Sequence, residues 1–490
     1  MNITIRSLRF QVPLSSEQGE AVETVLGGKS VSMKACAGSG KSHTARATAK
    51  NHIGPVESIP FMRNLMLEEQ AAYSAFPHVT SANFHSRGLR LCSTGSKIDV
   101  DDYKLNRIAT EIDEEQASGI AMLAKAFKAE GIGTYDKALA PDAIATKYAL
   151  DVTLVAPALD ALKQSDAMLN VADYADMLRF PVLLGRKQTL DGLVVLDEVQ
   201  DYTPASWVFV RDCLTTPTSK VLMIGDPERQ LLMAFTGASP EIFDTMATHY
   251  GCKAVALTVN RRCAKAIVES APHKGDMVAL PDAPEGELTS METSQALDAI
   301  IDGKHASDAI LSEVNAPLVQ LGLNLLTKGV PCRMRSKRLE GAIRSVSYKY
   351  LDARKFPFPS FSIAEACRRD VAQAGEESAA TDTSKQDVIN CIASLEAYCV
   401  TKGISKTQFV KRGAKWSPVH PIFVALNQLT KSTSGITLLT GHTAKGLEWE
   451  TIFHLAGSSK PPQQDWQVHQ ANCLAHVIAT RPKLRFISLL

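Results

Sequence analysis

Three short apolar runs in this chain each stop at a polar or glycine-rich motif: SVSMKACAGSGKS, GLVVLDEVQD and KVLMIGDPERQ. A run of Val, Leu, Ile and Met closed by Gly, Asp or Lys is the pattern of a strand buried on both faces that delivers a loop at its C-terminal end. Helices must then cover both faces, so the fold class is α/β with parallel sheets. KAVALTVNRR, GITLLTGHTAKG and KLRFISLL repeat the pattern further along and predict a second α/β core.

Length allows for this. The chain has 490 residues, more than one ordinary core can organise at roughly 150 residues per domain. Between the two sets of runs, EIDEEQASGIAMLAKAFKAEG and DALKQSDAMLNVADYADMLRF have helical spacing and alanine-rich composition, which predicts a helical insertion over 91–170. Residues 336–430 are mixed and predict a second insertion, with AQAGEESAATDTSKQD as a polar linker or exposed loop.

The net charge of +1 demands neither nucleic acid nor an anionic membrane, so any basic surface has to be local. No apolar run reaches the roughly 18 residues of a membrane span, and the N-terminal segment has no signal-like apolar stretch, so a cytoplasmic protein is expected. The ten cysteines are scattered without CxxC pairs or zinc spacing, as thiols of a reducing compartment would be. No metal–cysteine site is expected.

In Ala35–Ser42 the small residues Ala37, Gly38, Ser39 and Gly40 let backbone N–H groups close around phosphate oxygens, and the helix that follows adds its positive end. Lys41 suits the β and γ phosphates, and Ser42 suits Mg²⁺. Ala35 stands where such loops carry their first glycine. Asp197 and Glu198, after the run LVVL, put adjacent carboxylates at a strand end. Asp197 suits the Mg²⁺ shell and Glu198 suits a general base acting on water.

With these motifs in this order, the chain resembles superfamily 1 helicases of the UvrD/Rep type, DEVQD being far more specific than the phosphate loop alone. The resemblance implies two RecA-like motor domains with ATP bound between them: 1A over 1–90 and 171–240, with a mostly helical insertion 1B over 91–170, and 2A over 241–335 and 431–490, with a mixed insertion 2B over 336–430. It implies ATP and Mg²⁺ as cofactors. Gln18 in LSSEQGEAV is similar to a glutamine that reads adenine. GDPERQLLMAFTGA resembles a motif in which Gln230 senses the γ-phosphate and Phe235 stacks on a base, with Met233 and Thr236 replacing the family's Tyr and Arg.

LTVNRRCAKAI places Arg262 on a charge-stabilising arginine, with Arg261 at a position where the family has an adenine-stacking tyrosine. TGHTAKGLEWETIF implies Thr440 and His442 beside the DNA backbone and Glu448 beside the ribose. HVIATRPKLRF implies Arg481 as a second arginine finger, although Gln470 and Ala471 replace the usual preceding acids and Pro482 an alanine. FMRNLMLEEQ and TSANFHSRGLRL resemble the motifs of a single-strand track, with Phe61, Asn64, His85 and Ser86 as DNA candidates. Phe61 and Phe84 fit a core equally well. The basic run with Arg333, Arg335, Lys337, Arg338, Arg344, Lys349, Arg354 and Lys355, against Glu340 and Asp352 and interleaved with Tyr348 and Tyr350, reads either as a nucleic-acid contact or as a solvated face.

The resemblance implies an ATP-dependent helicase or translocase on single-stranded and tailed duplex DNA, of 3′-to-5′ direction. A protein partner in repair, replication or defence is compatible with it. The alternative is a non-unwinding, DNA-stimulated ATPase that remodels protein–DNA complexes or serves as motor subunit of a recombination or defence complex. A phosphate-loop kinase or small-molecule ATPase would require the later motifs to be coincidences.

Overall fold

A computed structural model describes residues 13–61, 63–93, 97–303, 307–348, 350, 360, 362–373, 379–404, 408–412, 415–456, 462 and 464–490. The chain divides into two compact units, one of Met1–Arg261, Gly275–Val278 and Gln463–Cys473, the other of Arg262–Lys274, Ala279–Pro462 and Leu474–Leu490.

The first unit is built on β1 (Val31–Ala35), β2 (Val56–Ile59), β3 (Val79–Ser81), β4 (Leu193–Leu196), β5 (Lys220–Gly225) and β6 (Lys253–Leu257). They form one sheet in the order β3-β2-β4-β5-β1-β6, every neighbouring pair parallel. Alternate residues of β4 serve opposite faces: Val194 and Leu196 join a core with Val221, Met223 and Phe209, while Leu193 and Val195 join another with Val31, Met33 and Leu222. That double burial is why the strands read as unbroken apolar runs. β6 corrects the sequence reading: KAVAL was expected in the second core, but it pairs with β1 from Val31 to Ala35 and closes the first sheet. The first unit therefore runs past the expected division at 240/241.

Between β3 and β4 the helices Lys104–Ile112, Ala117–Ala129, Pro141–Lys147 and Val155–Ala167 enclose their own apolar centre, with Leu105, Phe127, Ile144 and Leu162 buried in it. Two-residue strands, Asp99–Val100 and Val171–Ala172, pair where the insertion leaves and rejoins the chain. A buried ion cluster lies beside them. The Lys104 ammonium, with no exposure, donates to Asp176 Oδ2 at 2.9 Å and to the carbonyls of Ser165 and Val171 at 2.7 and 2.8 Å. Lys128 donates to Asp173 at 2.8 Å and also to Asp176. Burial pushes the Lys104 pKa down, and Asp176 opposes that shift.

The second unit carries β7 (Glu287–Met291), β8 (Asp308–Ser312), β9 (Cys332–Met334), β10 (Ile436–Thr440), β11 (Trp449–Leu455) and β12 (Pro482–Leu489). Their order is β7-β12-β11-β8-β10-β9, again parallel throughout. Among the described residues of the region expected as a second insertion, Ile343, Ile392 and Leu395 pack with Ile310 and Leu438 of the sheet and Leu318 of the helix Ala316–Thr327. The expected polar linker is also partly helix, since Ala379–Thr401 forms a long helix that begins inside it. Asp387, near its start, accepts from the backbone N–H groups of Asn315 and Ala316 at 3.1 and 2.7 Å, tying it to the head of the helix Ala316–Thr327.

All ten cysteines are free thiols, and among the described residues no helix is long and apolar enough to cross a membrane. Removing one partner of a buried ion pair strands the other charge and costs about 3–5 kcal/mol. Asp176→Ala, which leaves Lys104 with carbonyl acceptors alone and Lys128 with Asp173 as its remaining carboxylate, should lower the thermal melting temperature and the urea midpoint accordingly. An unchanged unfolding curve would show that the ion cluster does not hold the insertion.

Candidate functional site

The order of the first sheet makes β4, β5 and β1 consecutive neighbours. Their C-terminal ends therefore bring together DEVQD, GDPERQ and the loop ahead of Lys41, although these lie far apart in sequence. The C-terminal edge of an open parallel sheet is where such folds place their ligands.

After β1 the loop Cys36–Gly40 turns with positive φ at Gly38 (68°) and Gly40 (88°). A Cβ on Gly40 would stand 2.4 Å from the Gln18 amide nitrogen, so only glycine lets the loop approach that side chain. Gln18 donates from Nε2 to the Ser39 carbonyl at 3.0 Å and accepts at Oε1 from the Ser15 N–H at 2.9 Å, closing a capping box on the helix Ser16–Leu26. Its side chain is 2% exposed. The Gln18 amide thus holds the loop while its oxygen serves the cap.

The helix Lys41–Asn51 starts directly after the loop with no side chain capping it. Its first N–H groups are thereby left for an external acceptor. The Lys41 ammonium is buried and has no hydrogen-bond partner among the described residues. A buried cation without a partner is costly. An anion in the loop would remove that cost. Ala37 and Ser39 are buried in the loop wall, and Ser42 is exposed at the first turn.

At the end of β4, Asp197 is 7% exposed and accepts the Glu198 N–H at Oδ1, 2.9 Å away. Burial first, and then the carboxylates of Glu198 and Glu69, push the Asp197 pKa up to about 7; Lys41 and the Glu198 N–H oppose them. Glu198 has φ 52°, a left-handed conformation rare outside glycine. Gln200 donates to the Glu198 carboxylate and accepts from the Asp226 N–H at 3.0 Å, joining the ends of β4 and β5. A Cβ on Gly225 would be 2.6 Å from the Gln200 amide oxygen, which explains the glycine at the end of β5. Asp226 in turn accepts from Arg229 at 3.0 Å and from Gln230 at 2.8 Å. Lys41, Asp197, Glu198 and Gln230 thus lie along one sheet edge.

The sequence reading assigned no role to Gln200, Asp226 or Glu69. The first two lie inside the quoted motifs, where their polarity directly after a buried strand was a usable signal. Glu69 lies inside the quoted FMRNLMLEEQ, where nothing sets it apart from Glu68: it reaches the site from the helix Arg63–Ala72, buried on hydroxyl donors from Ser58 at 2.7 Å and Ser81 at 2.9 Å. Burial raises its own pKa, against those hydrogen bonds.

Of the DNA candidates in this unit, Phe61 lies stacked on the buried Tyr202 ring at 6.3 Å and 22°, against the core. Phe84 is 2% exposed and belongs to that core. His85, its pKa lowered by burial, meets Tyr174 edge-on at 5.2 Å. Ser86 is exposed, its N–H taken by the Asn83 side chain at 2.9 Å. Tyr174, 54% exposed, was missed because it opens a helix inside a segment read only as helical. The side chains of Asn64 and Phe235 lie outside the described residues.

In the second unit, Arg262 pairs with Glu448 at 2.8 Å, and Lys483 holds the other Glu448 oxygen at 2.9 Å. Burial works to raise the Glu448 pKa, but its hydrogen bond to Lys483 and the Arg262 charge win and hold it below the usual range. Arg481, expected as a second arginine finger, is 1% exposed and donates to the carbonyls of Val477 at 2.9 Å and Leu447 at 3.3 Å. Thr440 shares a hydroxyl contact with Thr443 at 3.1 Å, and His442 has its pKa lowered by burial and then by Lys445.

The basic run divides. Arg333 donates to Thr437 and to the Thr433 carbonyl, and Arg344 pairs with Glu340 and covers the Phe423 ring at 4.7 Å, while Arg335 and Arg338 are exposed. Tyr348 is 61% exposed, and the Tyr350 hydroxyl donates to Asp370. The Lys337 side chain, Lys349, Asp352, Arg354 and Lys355 lie outside the described residues.

The raised Asp197 pKa has a sign that can be tested. A carboxyl whose folded pKa lies above its unfolded value stabilises the protein below the unfolded pKa, and this stability is lost as pH rises through the folded pKa. Without nucleotide or metal, Asp197→Asn should therefore raise the melting temperature at pH 8 more than at pH 5. Equal shifts at both pH values would show that Asp197 is not held protonated.

No family model matches the chain, and no curated protein matches its sequence; its chemistry rests on the geometry of these side chains.

Proposed function

We propose that this protein is an ATP-driven DNA motor built on two RecA-like cores. The observation that carries the reading is the buried Lys41 ammonium, without a hydrogen-bond partner among the described residues, at an uncapped helix start on the same sheet edge as Asp197 and Glu198. A cation and free backbone donors suit a polyphosphate, and carboxylates beside them suit its metal and the attacking water. The position of β5, between the lysine strand and the acidic strand, supports a RecA-like sheet, as does the second parallel sheet.

Ser42 and Asp197 offer the hard oxygen ligands that Mg²⁺ takes when it keeps most of its shell for phosphates and water. No cluster of three or more ligating side chains is found among the described residues, and nucleotide-bound Mg²⁺ does not need one. When bound, the ion would neutralise phosphate charge. Glu198 orients and deprotonates water, Gln200 fixes that carboxylate, and Gln230 sits by the phosphate end through Asp226. Arg262, partly exposed, takes the charge-stabilising role, with Arg481, held by the Val477 and Leu447 carbonyls, as the second candidate for it. The exposed Ser86 and Tyr174, beside His85, supply a polar and aromatic surface of the kind that holds single strands.

Single-stranded DNA should stimulate ATP hydrolysis, and its failure to do so would return a phosphate-loop kinase or small-molecule ATPase to first place. Unwinding of duplexes tailed on either end separates a helicase, whose 3′-to-5′ direction rests on resemblance, from a non-unwinding remodeller. Glu198→Gln should retain ATP binding and lose about 10²- to 10⁴-fold in turnover; parental turnover would move the base elsewhere. Loss of one base stack costs about 1–3 kcal/mol, or roughly five- to 150-fold in affinity. Tyr174→Ala should raise the DNA concentration needed for half-maximal stimulation within that range while leaving DNA-free hydrolysis at the parental rate.

A further inference from the structure

We propose that the edge of the second sheet binds an extended, basic peptide segment of a partner protein. β7 is the outermost strand, paired only with β12 among the described residues, and Glu287, Leu288 and Ser290 along it are exposed. A strand edge in that state offers a row of backbone donors and acceptors to another chain.

Beside the strand lies a cavity of about 410 Å³. Ser290, Ser488 and His454 form one cross-strand row of its wall, and Leu288 and Phe486 form the row below. His454 contacts Glu313 at 2.9 Å and lies over the Phe486 ring at 5.7 Å, so the wall grades from apolar floor to polar rim. Among the described residues that line the cavity none is a lysine or arginine, and the carboxylate is Glu313, which His454 already contacts. Asp282, Glu285, Glu287 and Glu292 continue the negative charge along the strand, and Arg485, opposite Glu287, donates to the Thr451 hydroxyl at 3.1 Å.

That charge opposes phosphate and fits a cationic side chain. An added strand would direct every second side chain to the cavity face. The stem of an arginine or lysine would cover Leu288 and Phe486 while its head reached Glu313 and the hydroxyl row. The surface does not depend on nucleotide chemistry, so the proposal stands apart from the motor reading.

Fluorescence anisotropy of the full chain with a labelled peptide of alternating arginine and valine tests it. The peptide should bind, and a twin of alternating glutamate and valine should not. Glu313→Gln should weaken binding about tenfold, the equivalent of one charge-assisted contact. Leu288→Lys, a change at an exposed position, should abolish it, and Glu111→Gln on the helical insertion should leave it unchanged. Hydrolysis rates should stay parental in all three variants. Parental affinity in Glu313→Gln or equal binding of both peptides would overturn the proposal. So would a change in labelled oligothymidylate binding in either edge variant, which would assign the surface to nucleic acid, or a dimer of the parent protein lost in Leu288→Lys, which would assign it to a second copy.

Discussion

A parallel sheet covered on both faces has only its strand ends through which to present chemistry, and the first unit is organised by that restriction. Every residue of β4 is buried, as are Val221 to Gly225 of β5, so no polar side chain can serve a site from the middle of these strands. The polar groups collect where the strands end, and the strand order decides which groups meet. Because β5 separates β4 from β1, the acids of DEVQD face the Cys36–Gly40 loop across the end of β5. Asp226 and Gln200 occupy that gap and connect the two.

The helical insertion and the mixed region obey different packing rules. The first has its own buried centre and is fastened by the Lys104–Lys128–Asp173–Asp176 cluster, whose charges are satisfied only when helices from both ends of the insertion and the helix Tyr174–Leu183 are in place. Such an arrangement contributes more to a unique geometry than to net stability, because desolvation offsets much of the attraction. The second shares its apolar core with the second sheet. Tilting it away would expose Ile310 and Leu438, so it belongs to that unit as a packed layer.

The fold class and most of the first site were legible because their signals are local. Buried strands leave unbroken apolar runs, and Lys41, Asp197, Glu198 and Gln230 follow such runs within a few residues. What escaped was set by contacts distant in sequence. β6 resembles any apolar strand, and only its pairing with β1 assigns it to the first sheet. The motif around Arg481 carries no sign of the Val477 and Leu447 carbonyls that hold its guanidinium. Glu69 sits in a helix of ordinary composition, and its effect on Asp197 depends on Ser58 and Ser81 at the ends of β2 and β3.

The groups that hold the site's geometry are neutral, whereas Lys41, Asp197 and Glu198 carry its titratable charge. Gln18 fixes the Cys36–Gly40 loop through the Ser39 carbonyl, and Gln200 fixes Glu198 against the Asp226 N–H, each using one amide as donor and acceptor at once. Left-handed backbone at Glu198 costs about 1 kcal/mol or more. The bond from its N–H to Asp197 and the grip of Gln200 on its carboxylate offset that cost. A lysine in place of either glutamine could make one of these bonds, but it cannot accept a hydrogen bond and would add a positive charge. At position 200 that charge would neutralise the carboxylate it held. At position 18 it would compete with Lys41 for the same anion. Amides settle the geometry and leave the charge balance between Lys41 and the carboxylates to be set by whatever occupies the loop.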